Sequence, residues 1–207
     1  MRKQMKTIKF FSLLLLLTAA LTSCDWHTTR TVIGFGDVEF EEREMTDFSG
    51  VSLTGTCDVY ITTGESFSVE LQAQPQILEV MTTSVKGGIL SIGFHPDYNI
   101  KTDAEISAII VLPSLDFVSL TGLGDFEISG EKQPELDIHI TGKGNVEAYG
   151  MEVGNCQINI SGVGNCEVNV SDLLDIQVSG VGHLFYMGNP ELNTDISGVG
   201  NATAVNE

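Results

Sequence analysis

Basic residues are scarce in this chain: 10 Lys and Arg stand against 28 Asp and Glu over 207 residues, a formal charge of −18. Nucleic acid is gripped through clustered Lys and Arg, so a nucleic-acid partner is excluded. Aromatics are equally thin, at 7% with a single Trp, while glycine reaches 22. That balance does not suit an ordinary helical or Rossmann-type enzyme. The sequence carries no G-x-S-x-G elbow, no H-E-x-x-H pair and no phosphate loop. No linker rich in Pro, Ser or charge divides it, and its length allows a single domain with a sizeable core.

Cysteine is too sparse for a disulfide framework. Of the four, Cys24 belongs to the N-terminal segment, and Cys57, Cys156 and Cys166 remain, an odd number. Metal spacing is lacking too, because His27, His95, His139 and His183 are scattered and Cys156 and Cys166 lie ten apart. Buried, inert thiols are the expectation, and no cofactor is expected.

The first two dozen residues are not part of a fold. Arg2, Lys3, Lys6 and Lys9 make a basic start, and Phe10 to Leu21 is an apolar run too short to span a bilayer comfortably. This is the layout of a secretory signal peptide over residues 1–23. The run ends in Leu21-Thr22-Ser23-Cys24, which resembles the lipobox of bacterial lipoproteins and makes Cys24 the expected site of lipid attachment. Cleavage there would leave six basic against 28 acidic residues, a net charge of −22 over 184 residues. Residues 24–33 then serve as anchor and short tether, and residues 34–207 as one domain held at the membrane through acyl chains. The polar stretch Asp25 to Arg30 would reach about 20 Å at roughly 3.5 Å per extended residue.

A repeated phrase carries most of the information. Leu120-Thr121-Gly122-Leu123-Gly124-Asp125 recurs as Ile140-Thr141-Gly142-Lys143-Gly144-Asn145 and as Ile160-Ser161-Gly162-Val163-Gly164-Asn165. It returns as Val178-Ser179-Gly180-Val181-Gly182-His183 and Ile196-Ser197-Gly198-Val199-Gly200-Asn201, at intervals of 20, 20, 18 and 18 residues. A weaker copy starts at Leu53-Thr54-Gly55, and Ile33-Gly34-Phe35-Gly36-Asp37-Val38 is a further candidate. Around each phrase apolar residues alternate with polar ones: Leu136, Ile138 and Ile140 against Asp137 and His139; Cys156, Ile158 and Ile160 against Gln157 and Asn159. Period two means half-buried strands. Strand, glycine corner, strand at a near-constant period points to stacked coils. The expected fold is all-β: a right-handed parallel β-helix with 18–20-residue coils, its N-terminal coils over residues 45–118 wider and irregular. Pro75 to Met81 reads as one or two helical turns within them. An antiparallel sandwich or barrel is the competing reading, although it does not need an identical phrase in every turn.

Two glycines per coil have two expected jobs: a corner with positive φ, and contact between successive corners too close for a side chain. Stacking predicts two columns. Asp125, Asn145, Asn165, His183 and Asn201 would lie one above another, either as a hydrogen-bond ladder serving the turn backbone or as a binding edge. Glu127, Glu147 and Glu167 would form a column of like charge on the solvent face, a candidate calcium clamp.

The phrases, together with Met45-Thr46-Asp47-Phe48-Ser49-Gly50-Val51, Asp58-Val59-Tyr60-Ile61 and Ile110-Val111-Leu112-Pro113-Ser114-Leu115, resemble the auto-transporter adhesin head domain called the GIN domain over residues 34 to 205. That family is common in secreted and lipid-anchored proteins of Bacteroidetes. The resemblance implies a right-handed β-helix without catalytic residues, and a role in adhesion with the glycine turns gathered along one edge. In this chain the turn residue is Asp or His in two of the five copies.

The functional expectation is a non-enzymatic, lipid-anchored cell-envelope protein, at the outer membrane, that displays a repetitive acidic and polar face to a glycan or protein. Candidate contacts are the corner residues Gly122, Gly124, Asp125, Gly142, Gly144, Asn145, Gly162, Gly164, Asn165, Gly180, Gly182, His183, Gly198, Gly200 and Asn201, with the outward Asp137, His139, Asn159, Gln177 and Asp195. One alternative is a polysaccharide lyase or hydrolase on the same fold. Against it, cationic stabilisation of an enolate-like intermediate has few sources, since only Lys132 and Lys143 fall inside the repeats. Another is a structural module that forms homo-oligomers through open strand edges.

Overall fold

The computed structural model describes residues 29–205. The signal peptide, Cys24 and the start of the tether lie outside the described residues. The fold is all-β, with one short helix. Two parallel ladders run through the chain, and each coil contributes a strand to both.

The first ladder joins β7 (Ile89–Phe94), β3 (Gly50–Leu53), β10 (Phe117–Leu120), β12 (Gln133–Ile140), the second halves of β13 (Val146–Ile160) and β14 (Cys166–Val178), and β16 (Glu191–Ile196). Its register sets Ile92, Leu53, Leu120, Ile140, Ile160, Val178 and Ile196 side by side. The second ladder joins β9 (Ser107–Leu112), β4 (Asp58–Thr63), β11 (Phe126–Gly130), the first halves of β13 and β14, β15 (Leu184–Met187) and β17 (Ala202–Ala204). Between them the corners stack as well, Thr56 on Leu123, Lys143, Val163, Val181 and Val199.

Alternation decides which side of each ladder is buried. In β12, Leu136, Ile138 and Ile140 are buried while Asp137 and His139 stay half-exposed. Inward residues of both ladders, such as Leu53, Leu120, Phe126 and Val146, merge into one apolar cluster, so the sheet curls around a single core. At about 25 cal/mol per Å² of apolar surface removed from water, this core is the main stabilising element. The drop in period from 20 to 18 residues has a local cause. β13 bulges against β14 between Ala148 and Glu152, and β14 gains a residue between Val170 and Leu173.

The N-terminal half departs from the expected parallel helix. The sheet is mixed: β2 (Glu39–Glu42) runs antiparallel to β5 (Ser68–Ala73), β5 to β9, and β6 (Met81–Lys86) to β7. After β4 the chain reverses through β5, the single turn α1 (Pro75–Leu78) and β6, then turns again at Gly87 (φ 59°) and Gly88 (φ 78°) into β7. Residues 45–118 are therefore not a run of wide coils in chain order. The layer β3–β4 sits between the β7/β9 layer and the β10/β11 layer, and the reversed strands cover one end. α1 is one turn long, and Met81 already begins β6. The weaker copy at Leu53 does stack with the others. The candidate at Ile33 does not: β1 (Arg30–Ile33) pairs with β8 (Tyr98–Lys101) in a separate two-stranded sheet, and Gly34 donates its N–H to the Lys101 carbonyl at 2.9 Å.

Candidate functional site: the corner column and the outer face

Each corner side chain serves the coil next to it. Asp58 Oδ1 accepts the backbone N–H of Asp125 at 2.9 Å, and Asp125 Oδ1 accepts that of Asn145 at 2.6 Å. Asn145 Oδ1 accepts the N–H of Asn165, and Asn165 Oδ1 that of His183, both at 3.0 Å. Asn145 also donates through Nδ2 to Asp125 at 3.1 Å. Short Asx side chains suit this job because their oxygen reaches a neighbouring turn amide. At His183 the pattern changes, since an imidazole offers no carbonyl oxygen: its Nδ1 contacts Asn201 Oδ1 instead. The column is thus a structural ladder whose first rung is Asp58, from the weaker copy at Leu53.

The glycines are explained by crowding more than by dihedral angle. A Cβ on Gly142, Gly162, Gly180 or Gly198 would lie 2.0–2.1 Å from the carbonyl oxygen of the equivalent glycine in the preceding coil. The second glycines behave alike, a Cβ on Gly164 or Gly200 falling 1.7–1.8 Å from the carbonyl oxygen below. Among these ten corner glycines, positive φ is confined to Gly124 (142°) and Gly144 (150°). The expectation of positive φ at every corner is thereby corrected. Between the glycines, Leu123, Val163, Val181 and Val199 stand exposed on the corner, with Lys143 among them.

The carboxylate column also forms, with Glu147 paired in register to Glu127 on one side and Glu167 on the other. Tyr60 and Phe185 continue it at either end. Among the described residues no group of three His, Cys, Asp or Glu side chains is arranged to hold a metal ion.

The outer face of the first ladder is where polar side chains gather around open space. Its rows run Ser119, His139, Asn159, Gln177, Asp195 and, beside them, Phe117, Asp137, Gln157, Asp175, Asn193. Two shallow depressions lie along it. One, of about 440 Å³, is lined by His139, Asn159, Gln177 and Asp195 with the hydroxyls of Thr141, Ser161, Ser179 and Ser197. The other, of about 420 Å³, is lined by Asp116, Phe117, Asp137, Gln157 and Asp175 among others. The Phe117 ring packs against His139 with centroids 5.4 Å apart. All five outward residues singled out from sequence line these depressions. The Thr and Ser hydroxyls are the first polar residue of each repeated phrase, and their recurrence was the signal that would have placed them here.

The thiols offer no nucleophile. Cys57, Cys156 and Cys166 are buried and unbonded. Burial pushes Cys57 and Cys156 up to about 12, and Cys166 well above its ordinary value, with nearby carboxylates adding to the effect at Cys57 and Cys156.

The sequence profile of the family described as "Putative auto-transporter adhesin, head GIN domain" matches residues 47–146 and 118–190. The chain belongs to that family. No curated protein matches this GIN-domain chain. Among solved structures it is similar to a "putative adhesin" from Bacteroides fragilis, 17% identical with a TM-score of 0.58, the match covering 84% of this chain and 100% of that one. A "putative adhesin" from Parabacteroides merdae is 15% identical with a TM-score of 0.48, covering 85% and 99% of the two chains. A "putative lipid binding protein" from Parabacteroides distasonis is 16% identical with a TM-score of 0.48, covering 86% and 100%. At such identities the likeness of the GIN-domain chain to the B. fragilis protein speaks to fold alone. No helix among the described residues is long and apolar enough to cross a membrane.

Proposed function

We propose that this chain is a non-enzymatic adhesin-type module of the bacterial cell envelope, lipid-anchored at the outer membrane through Cys24, whose contact surface is the outer face of the first ladder. In this reading the stack from β10 onward is a right-handed parallel β-helix, and the antiparallel strands close one end of it. The observation that carries the proposal is the pair of adjoining depressions lined by Asn, Gln, Asp, His, Thr and Ser. The corner column is the weaker candidate, because its acceptor oxygens are already used on backbone N–H groups.

Chemistry narrows the partner. Amides and hydroxyls both donate and accept, and carboxylates accept, which suits a ligand rich in hydroxyl groups. The rows repeat at about 4.8 Å per coil, close to the length of one sugar residue, and Phe117 offers a ring face at one end. Asp137, Asp175 and Asp195 would repel an anionic polymer. The ligand class is therefore an extended neutral glycan. A catalytic role draws no support from the site: the thiols are buried, and Lys132 is engaged with Glu152 at 2.7 Å.

The test is binding of the mature protein to an array of neutral and acidic glycans and matrix proteins, scored also for chain cleavage with and without calcium. Saturable binding of a neutral glycan that is lost in the double variant Asn159→Ala, Gln177→Ala, with unchanged melting temperature, is the expected result. Binding that survives this variant but disappears in Asn145→Ala would move the site to the corner. Reproducible cleavage would end the non-enzymatic reading.

A further inference from the structure

The two ends of the stack differ. One end is covered by the reversed strands, where Ile77 and Leu78 of α1 are buried. At the other, β16 pairs only with β14 and β17 only with β15 among the described residues. All of β16 except Ile196 is exposed, although Leu192, Thr194 and Ile196 occupy the inward positions held by the buried Leu174, Ile176 and Val178 one coil earlier. Leu192 is 40% exposed where Leu174 is 0%. Among the described residues, the coil of β16 and β17 thus presents a row of unpaired backbone groups beside exposed inward positions. Such an edge templates pairing with another strand.

We propose that a second copy of this chain covers this edge, β16 pairing antiparallel with β16 of that copy about a twofold axis at Thr194. The argument is one of register. Antiparallel partners directly opposite each other point to the same face, so the twofold must fall on a residue and not between two. Centred on Asn193, the pairing would set Glu191 directly against Asp195 of the second copy, twice. Centred on Asp195, it would set the two Asp195 carboxylates against each other. Like charges directly opposite are destabilising. Centred on Thr194, Leu192 meets Ile196, Thr194 meets its own equivalent, Asn193 meets Asp195, and Glu191 meets Ser197. Apolar side chains then face apolar ones on the inner side. On the outer side the Asn193 amide faces a carboxylate that it can donate to. The two Asp195 groups become diagonal neighbours in solvent, where water and salt screen them.

The assembly has a consequence for the outer face, whatever that face binds. Asp195 and Ser197 line the depression nearest the edge. The pairing brings the same residues of the second copy alongside, so two faces of opposite strand direction join into one longer surface. Two linked sites on one polymer raise apparent affinity without any new contact.

The experiment uses the protein as the cell processes it, extracted in detergent. Thr194→Cys, oxidised and run on a non-reducing gel, is expected to yield disulfide-linked dimer as the main product, because only this register brings residue 194 opposite itself. Glu65→Cys, exposed and far from the edge in sequence, leaves the pairing intact and is expected to give no disulfide-linked dimer on the same gel. Charge at residue 193 supplies a signed readout by sedimentation. Asn193→Asp places a carboxylate opposite Asp195 and weakens the dimer about tenfold, since symmetry counts each pair twice; Asn193→Lys tightens it by a similar factor. Inside one copy residue 193 lies in register beside Asp175, so Asn193→Asp should also lower and Asn193→Lys raise the monomer's melting temperature slightly. The dimer constant from sedimentation, not the melt, is therefore the readout. A protein that stays monomeric at high micromolar concentration, or a dimer indifferent to charge at 193 and uncrosslinked through residue 194, overturns the proposal. Loss of glycan binding with the dimer intact would count against the proposed function alone.

Discussion

Asn145 ties three successive coils together: its Oδ1 accepts the N–H of Asn165 at 3.0 Å while its own N–H donates to Asp125 Oδ1 at 2.6 Å. Removing the side chain in Asn145→Ala leaves the Asn165 amide without its acceptor at a tight corner. The expected loss is about 1–2 kcal/mol, read as a lower melting temperature. His183 is the rung that offers no oxygen to the next coil. His183→Asn should restore the pattern towards Asn201 and stabilise by about 0.5–1 kcal/mol. Opposite signs at two rungs of one column test the ladder itself, not the general sensitivity of the corner.

Glycine tolerance should divide by mechanism. A methyl at Gly162 would sit 2.1 Å from the Gly142 carbonyl oxygen and 2.6 Å from the Thr141 carbonyl, backbone of the preceding coil that cannot yield without unstacking. Gly162→Ala is expected to cost more than about 3 kcal/mol and to prevent folding at growth temperature. Gly87, by contrast, has φ 59° and open space where a Cβ would stand, with nothing within 4 Å. Gly87→Ala should cost about 1 kcal/mol, the penalty of a left-handed backbone alone. Urea denaturation of both variants separates the two causes.

The half from Phe117 onward was legible because its residues obey two rules at once: period two along the strand and a fixed interval between phrases. Register followed from that, and Leu53, Thr56 and Asp58 fell into the same stack. The half before it was not legible, for a physical reason. Lys86-Gly87-Gly88 can turn a chain back on itself or merely bend it, and local sequence does not state which neighbour β5 or β6 will find. Antiparallel and parallel partners satisfy the same alternation. Ile33-Gly34-Phe35-Gly36 misled for a related reason, since a short phrase carries no information about what it stacks on. At the site, the outward Asn159 and Gln177 could be placed from alternation. The hydrogen-bond ladder of the corner column was likewise one of the two readings that stacking offered; what the structure adds is that each oxygen serves the backbone N–H of the next coil.

Glu147 lies in register between Glu127 and Glu167 on a solvent-facing row. Carboxylates about 5 Å apart repel by under ~1 kcal/mol each in water. Glu147→Gln relieves two such contacts at once, whereas Glu127→Gln relieves one, because its other neighbour in the row is Tyr60. The expectation is a gain of up to about 1 kcal/mol for Glu147→Gln, about half that for Glu127→Gln, and a smaller difference at high salt. Thermal melts at two ionic strengths check the ordering. Calcium that raised the melting temperature of the parent protein but not of Glu147→Gln would show the column acting as a clamp.

Alkaline pH should weaken the fold through the buried thiols. Burial raises Cys57 and Cys156 from 9.0 to about 12 and Cys166 well above its ordinary value. In the unfolded chain these groups ionise near their ordinary value, so between pH 9 and 12 the folded state binds more protons than the unfolded one. Stability is then whole below pH 9 and is lost as pH rises towards 12. Each thiol should contribute a loss of about 1.4 kcal/mol at pH 10 relative to neutral pH. Tyr60 and Tyr149 are also raised, first by burial and then by nearby carboxylates, and add to the fall at higher pH. Cys156→Ala isolates one thiol: its stability at pH 7 drops from the cavity it leaves, but its curve from pH 8 to 10 should be shallower than that of the parent by that one contribution. A parallel pair of curves would mean that Cys156 meets water in the native state. Thiol-specific reagents provide the independent check, because the native protein should resist modification at pH 8 at all three positions and react once unfolded.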